Sequence, residues 1–254
     1  MKKIHDCKVI TNKILNDEYY ILRVYAPEKL EKIKAGQFVE VLVNGSSSTF
    51  LRRPLSIYDV DYNENSFSLL VRIAGEGTRK LSELSVGDIV NIVYPLGNGF
   101  SIKTNKKALL AGGGCGIAPM LYLSKILKEN ACEVSLLLGA RTKNDLFELD
   151  EFGKFGKVYC ITNDGSLGEK GLITDHSLLK NVNNFDIIYT CGPEIMMKAI
   201  AKIAKQNNVE CEVSLENTMA CGIGACLCCV TETVRGNLCV CTEGPVFNIK
   251  DLKW

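Results

Sequence analysis

Six of the chain's twelve cysteines, Cys221, Cys226, Cys228, Cys229, Cys239 and Cys241, crowd into one short C-terminal segment. Thiols at that density bind metal, pair as disulfides or pack as small apolar groups, and their spacing discriminates among these. Cys221-x4-Cys226-x2-Cys229, with Cys241 further on, follows the C-x4-C-x2-C…C spacing of plant-type 2Fe-2S sites. Such a loop must wrap a cluster with backbone N–H groups aimed at sulfur, and Gly222 and Gly224 supply the dihedral freedom for it. A four-cysteine zinc site usually pairs ligands two to four residues apart; pairing Cys226 with Cys229 and Cys239 with Cys241 would leave Cys221 idle. A secreted disulfide scaffold is short and has little core, whereas here the other six cysteines lie in apolar segments of a long chain. Two choices stay open on spacing. Cys228 and Cys229 are adjacent, so one must point away, with the x2 interval favouring Cys229; Cys239 competes with Cys241 for the fourth place.

Two further segments have the chemistry of phosphate binding. Arg52-Arg53-Pro54-Leu55-Ser56-Ile57 starts one strand-like run, and Leu70-Val71-Arg72-Ile73 ends another just before Gly75-Glu76-Gly77-Thr78 and a helical stretch. Alone, an Arg-Pro-x-Ser reads as an edge proline beside a solvated arginine. Together the two arginine strands and the Gly-Thr turn make a flavin site, with backbone donors placed for a pyrophosphate. Downstream, Leu109-Leu110-Ala111 runs into Gly112-Gly113-Gly114-Cys115-Gly116-Ile117-Ala118-Pro119, a strand, a glycine turn and a helix start that tolerates proline. This is neither the Gly-x-Gly-x-x-Gly fingerprint nor a P-loop; it reads as a dinucleotide turn, with a plain tight βα turn as the competing reading. Cys191, Gly192 and Pro193 follow a second apolar strand, at the carboxyl end where open α/β sheets bind ligands. Gly139-Ala140-Arg141 and Asn163-Asp164-Gly165-Ser166 are expected near the adenosine half. Arg141 alone does not separate NAD from NADP.

These groups need elements to hold them. Lys8 to Thr11, Tyr19 to Tyr25, Gln37 to Val43, Leu55 to Asp59, Ser66 to Ile73 and Asp88 to Val93 read as six strands of a small antiparallel barrel, with a helix over Thr78 to Leu84. After a break at Pro95 to Gly99 the rhythm becomes strand and helix in alternation. Strands are expected at 107–111, 132–139, 157–161, 185–190 and 210–215, and helices at 118–129, 144–152 and 194–207, giving a parallel sheet. From Asn217 onward periodicity is lost and a loop-rich lobe is expected. The 254 residues suit more than one domain. Thirty basic against twenty-nine acidic residues leave a formal charge of +1, which argues against nucleic-acid or anionic-membrane binding. Met1-Lys2-Lys3-Ile4-His5-Asp6-Cys7 meets polar residues before any long apolar run, so no signal peptide is expected and the chain is expected to be cytoplasmic. His5 and His176 lie outside every motif, and solvated or capping roles are expected for both.

The run Ser214-Leu215-Glu216-Asn217-Thr218-Met219-Ala220-Cys221 through Cys229-Val230, with Val240-Cys241-Thr242-Glu243-Gly244-Pro245-Val246-Phe247, resembles the electron-transfer subunits of B-type dihydroorotate dehydrogenases. The resemblance covers essentially the whole chain. It implies a ferredoxin-NADP reductase-like fold: an antiparallel β-barrel FAD domain (1–100), an α/β parallel-sheet NAD domain (101–215) and a small C-terminal 2Fe-2S lobe (216–254). It selects Cys241 as the last cluster ligand after Cys221, Cys226 and Cys229, and leaves Cys228 and Cys239 without a ligand role. For FAD it implies Arg53, Pro54, Leu55, Ser56, Leu70, Val71, Arg72, Gly77 and Thr78. For NAD it implies Gly112, Gly113, Gly114, Gly116, Cys191, Gly192 and Pro193, with Cys191 beside the nicotinamide. The implied partner is an FMN-containing dihydroorotate dehydrogenase catalytic subunit, two copies of each chain forming a heterotetramer. Electrons would pass from the partner's FMN through 2Fe-2S and FAD to NAD during pyrimidine biosynthesis. Two alternatives remain: a flavin/iron–sulfur subunit of a sulfide dehydrogenase, ferredoxin:NADP oxidoreductase or hydrogenase, and a zinc-stabilised or redox-sensing interaction module.

Overall fold

A computed structural model describes residues 1–46 and 48–254. Six antiparallel strands close into a barrel in the order β1-β2-β5-β4-β3-β6. They are β1 (Lys3–Ile14), β2 (Tyr19–Tyr25), β3 (Phe38–Val41), β4 (Arg53–Asp61), β5 (Ser66–Arg72) and β6 (Ile89–Leu96), with helix α1 (Glu76–Ser82) between the last two. Val90, Ile92, Tyr94 and Leu96 of β6 alternate inward, as a half-buried strand requires. Strand β1 is far longer than Lys8 to Thr11. Ile4, Asp6 and Lys8 take its outer face while Cys7 and Val9 point in with the half-buried His5 on their side, and β6 pairs with it from Lys3↔Tyr94 to Lys8↔Ile89. The polar half of that alternation hid the strand from a propensity reading.

The second half is a seven-stranded sheet in the order β10-β9-β8-β7-β11-β12-β15. Its strands are β7 (Lys107–Gly113), β8 (Glu133–Ala140), β9 (Lys157–Thr162), β10 (Glu169–Lys170), β11 (Ile187–Cys191) and β12 (Glu210–Ser214). Helices α2 (Ala118–Glu129), α3 (Leu149–Gly153), α4 (Ser177–Lys180) and α5 (Glu194–Gln206) connect them. The expected helix over 144–152 is instead a 3-10 turn, Lys143–Asp145, and the short α3, separated by Glu148 in the left-handed region. His176 caps α4 by accepting the Leu178 N–H, and it is buried rather than solvated. The chain order reverses between β7 and β11, so the carboxyl ends of those strands form the crevice where open α/β sheets take ligands.

The C-terminal segment carries more regular structure than its composition suggested. It forms the hairpin β13 (Val230–Thr233) and β14 (Gly236–Cys239), the turn α6 (Val240–Glu243) and strand β15 (Val246–Asn248). β15 pairs antiparallel with β12, so the sheet is not purely parallel. Cys229, Val240, Cys241 and Phe247 join the core on that side of the sheet. On the other side α2 packs against the barrel, where Tyr122 donates to the Ile33 carbonyl at 3.1 Å and Lys125 pairs with Asp59 at 3.2 Å.

Candidate functional site

The Cys221–Cys229 loop turns through Gly222 (φ +67), Gly224 (φ +84) and Leu227 (φ +58), three left-handed residues in six positions. That winding points backbone N–H groups inward at sulfur. Ile223 and Cys226 donate to Cys221 Sγ at 3.5 and 3.4 Å, and Cys228 N–H donates to Cys226 Sγ at 3.5 Å. Cys241 N–H donates to Cys229 Sγ at 3.4 Å, and Gly224 N–H to Cys241 Sγ at 3.2 Å. Thus Cys221, Cys226, Cys229 and Cys241 each receive at least one donor, while among the described residues Cys228 and Cys239 sulfurs receive none from the backbone. At Cys221 burial pushes the thiol up, but the N–H groups of Ile223, Cys226 and Ala225 with the Cys226 side chain outweigh it and bring it down to about 6. Burial first, then the neighbouring Cys229 thiol, drive Cys241 up to about 12. Four thiolates packed together need positive charge to ionise, and donors aimed at sulfur suit thiolates bound to iron. Among the described residues no three Cys, His, Asp or Glu side chains converge as one ion would require. The sulfurs contact in two pairs, Cys221 with Cys226 and Cys229 with Cys241, and a two-iron cluster divides its protein ligands between its irons in the same way.

The loop is seated tightly on the barrel. A Cβ on Gly222 would lie 2.7 Å from Glu40 Cγ and 3.0 Å from Leu96, so glycine permits the approach. Glu40 is 1% exposed and, among the described residues, neither of its carboxyl oxygens has a hydrogen-bond partner. Burial, with Arg52 and Arg53 opposing and Cys221 adding, pushes its carboxyl up to about 7. Asn98 fastens the segment after Cys241: its side-chain amide donates to the Thr242 and Glu243 carbonyls at 3.1 and 3.0 Å. In sequence Gly97-Asn98-Gly99-Phe100 reads equally as a plain interdomain turn or as a segment with a cofactor role, and neither reading includes this contact.

A cavity of about 230 Å³ lies between barrel, sheet and lobe. Pro54, Leu55, Ser56 and Leu70 line it, as the flavin reading expects, joined by Phe38, Ala118, Met219 and Pro245. The two arginines beside it differ. Arg52 is locked to the Asn91 side chain and carbonyl, whereas Arg53 has one hydrogen bond among the described residues, to the Arg52 carbonyl at 3.3 Å. Its guanidinium lies over Gly77, where a Cβ would come within 2.7 Å of Nε. A guanidinium with most of its donors unspent among the described residues, held against a glycine, fits a phosphate of FAD. Thr78 spends its hydroxyl on the start of α1, accepting from Ala74 and Gly75 N–H and donating to the Gly75 carbonyl. Val71 is buried in the barrel, and Arg72 reaches the other cleft.

That cleft, about 470 Å³, opens at the carboxyl ends of β7, β8 and β9, within the size range of small-molecule sites. Gly113, Gly114, Pro193, Gly139, Ala140, Arg141 and Asn163 line it; Asp164, Gly165 and Ser166 do not. The other glycines of the motif hold the crevice together. A Cβ on Gly116 would sit 2.2 Å from the Cys191 carbonyl, one on Gly112 would press on Ile117, and one on Gly192 would meet the Gly113 carbonyl at 2.8 Å. Tyr19, Ile195 and Met196 add apolar wall that sequence reasoning missed.

Cys115 and Glu216 face both cavities. Glu216 accepts from the Cys191 thiol at 3.6 Å, and Cys191 itself is fully buried behind it. The exposed surface of Glu216 is cavity wall, and burial of its carboxyl raises its proton affinity. Burial, then Glu216, pushes the Cys115 thiol up to about 12. Glu216 lies two residues past the end of β12, and that position near a strand's carboxyl end was the available signal for it.

Residues 6–100 match the oxidoreductase FAD-binding domain family, 110–202 the oxidoreductase NAD-binding domain family, and 216–253 the iron–sulfur cluster binding domain of dihydroorotate dehydrogenase B. Two similar curated proteins are dihydroorotate dehydrogenase B (NAD(+)) electron transfer subunits. That of Fusobacterium nucleatum is 37% identical over 99% of each chain, and that of Caldanaerobacter subterraneus subsp. tengcongensis 39% over 94% of each. Among solved structures, one described as an NADH-dependent reduced ferredoxin-NADP oxidoreductase superposes with a TM-score of 0.87. It is 30% identical, over 98% of this chain and 90% of that one.

Proposed function

This chain belongs to the family of dihydroorotate dehydrogenase B (NAD(+)) electron-transfer subunits, and from that premise we propose how its residues divide the work. The observation that carries the proposal is contiguity: the dinucleotide cleft shares Cys115 and Glu216 with the smaller cavity, whose far wall includes Met219 and Pro245 of the cysteine lobe. When bound, NAD exchanges a hydride, FAD converts electron pairs to single electrons and a 2Fe-2S cluster passes them singly. Cys221, Cys226, Cys229 and Cys241 hold the cluster, and the five N–H donors around them stabilise its negative charge. Arg53 neutralises flavin phosphate, while Pro54, Leu55, Ser56 and Leu70 border the ring. The bare backbone at Gly113 and Gly114 admits dinucleotide phosphate, and Ile195 and Met196 exclude water from the cleft. Cys191 orients Glu216 at the junction.

The partner is a flavin-bearing dihydroorotate dehydrogenase catalytic subunit, two copies of each chain assembling in the cytoplasm for pyrimidine biosynthesis. Exposed Ile223 and Leu227 flank Cys226 and form the face that meets it. No helix among the described residues is long and apolar enough to cross a membrane. The test is anaerobic purification with iron, labile-sulfide, zinc and flavin analysis, followed by mixing with the dihydroorotate-oxidising subunit of the same genome. Dihydroorotate-dependent NAD reduction should appear only in the mixture. A colourless, zinc-containing protein would sink the reading. Co-purification with a different oxidoreductase would favour the ferredoxin:NADP or related alternative, which the 0.87 superposition keeps specific.

A further inference from the structure

The wall of the larger cleft carries two guanidinium groups and, among the described residues, no lysine. Neither guanidinium is free. Glu18, in the β1–β2 turn of the barrel, bridges them: Arg72 donates through Nη2 at 2.9 Å and Nε at 3.2 Å, and Arg141 Nη2 lies 3.1 Å from both carboxylate oxygens. Arg141 has a second acidic neighbour, Asp145, at 3.7 Å. The two arginines, Arg72 foremost, hold the Glu18 carboxyl below the usual carboxylate range, so it is charged at neutral pH.

The position of Glu18 is built. Asn16 Oδ1 accepts the N–H groups of Glu18 and Tyr19 at 2.8 and 2.9 Å, and its amide donates across the domain boundary to the Asn144 carbonyl at 2.9 Å. Next to it Tyr19 packs on Phe147 with ring centroids 4.9 Å apart. The turn is therefore clamped onto the 141–148 segment by contacts other than the ion pair itself.

Arg141 is the first residue past β8, the strand that follows the glycine turn and its helix. In doubly wound nucleotide folds the region beyond that strand meets the adenosine ribose, and an arginine there accommodates a 2′-phosphate. We propose that Glu18 sets the nucleotide preference of this cleft: by pairing with Arg141 across the domain boundary it withholds that guanidinium from a 2′-phosphate and sets a like charge beside it, so NAD(H) is accepted and NADP(H) disfavoured. The inference rests on the dinucleotide reading of the cleft and adds a selectivity residue contributed by the flavin half.

The test uses the flavin- and cluster-loaded protein, with binding and flavin bleaching measured against NADH and NADPH for wild type, Glu18→Gln, Arg141→Gln and the double variant. Glu18→Gln should narrow the NADH-over-NADPH preference by about tenfold, the scale of one charge-assisted hydrogen bond. NADH binding itself should change less than about threefold, and the double variant should lose the gain. A preference ratio in Glu18→Gln within about threefold of wild type overturns the proposal, as does a gain that survives without Arg141. Wild-type protein that binds neither dinucleotide overturns the cleft assignment, and this inference with it.

Discussion

The Cys191 thiol lies 3.6 Å from Oε1 of Glu216, and Glu216 is one of two residues facing both cavities. The contact joins the carboxyl end of β11 to the residue that follows the end of β12 by two. With nicotinamide in the larger cavity and flavin in the smaller, as proposed, a group so placed would set how closely the two rings approach. Glu216→Gln should slow flavin reduction by NADH by roughly tenfold to a hundredfold, the scale of lost positioning, with FAD and iron content unchanged. Cys191→Ala leaves the carboxylate without its donor and should slow it similarly. Because the pair acts as a unit, the double variant should be little slower than the worse single one in stopped-flow traces. Additive losses would show that the two residues work separately.

Serine substitution separates the six C-terminal cysteines. Replacing Cys221, Cys226, Cys229 or Cys241 removes a sulfur that backbone N–H groups address, and each variant should lose iron, labile sulfide and coupled electron transfer. Cys228→Ser and Cys239→Ser should keep the full iron complement. Iron-replete Cys226→Ser protein with full coupled activity would refute the ligand assignment.

How much of this could be read in advance depended on whether the signal was local. Cys221-x4-Cys226-x2-Cys229 is a single loop, so its spacing reports its geometry, whereas the fourth sulfur arrives on a separate segment and spacing alone left Cys239 and Cys241 unresolved. The alternation of strands and helices from Lys107 to Thr162 and from Ile187 to Ser214 was legible because those elements carry clear apolar periodicity, whereas the two-residue β10 and four-residue α4 between them are too short to show one. Strand β1 was largely missed because its outward residues are mostly polar or charged, and β15 because three residues carry no periodicity. The contacts of Glu18, Asn98 and Glu216 were invisible for a different reason. Each acts on a partner more than twenty residues away, and no local pattern encodes such a contact.

Burial beneath the sheet edge raises the affinity of the Glu212 carboxyl for protons, against the opposing N–H donor of Ser101 at 2.9 Å. An acid whose folded-state pKa is raised holds a proton that the unfolded chain has already released. Its contribution is therefore greatest at low pH and is lost as pH climbs from the ordinary glutamate value through the raised one. Glu212→Gln keeps an acceptor for Ser101 and removes the titration. The variant should gain thermal stability over wild type at pH 8, and the gain should shrink below pH 5. A difference in Tm that is constant across the series excludes Glu212 as its source.

Arg53 and Gly77 should act as one device for holding the flavin. Arg52, one residue earlier, is spent on Asn91 and the Glu40 carbonyl, so its loss should lower stability before it lowers flavin content. Arg53 has no such structural employment, and Arg53→Gln should release FAD with little change in the melting of flavin-free protein. Gly77→Ala tests the same point from the other side, since the new Cβ would lie 2.7 Å from Arg53 Nε and 3.0 Å from Thr49 Cγ2. Gly77 has no left-handed φ, so the methyl acts through contact rather than backbone strain. The guanidinium must swing away, and flavin affinity should fall by about tenfold, as for one charge-assisted hydrogen bond lost. In an Arg53→Gln background the same alanine should cost far less, and fluorescence titration of apoprotein with FAD reads that difference directly. An equal loss in both backgrounds would mean that Gly77 meets the flavin itself.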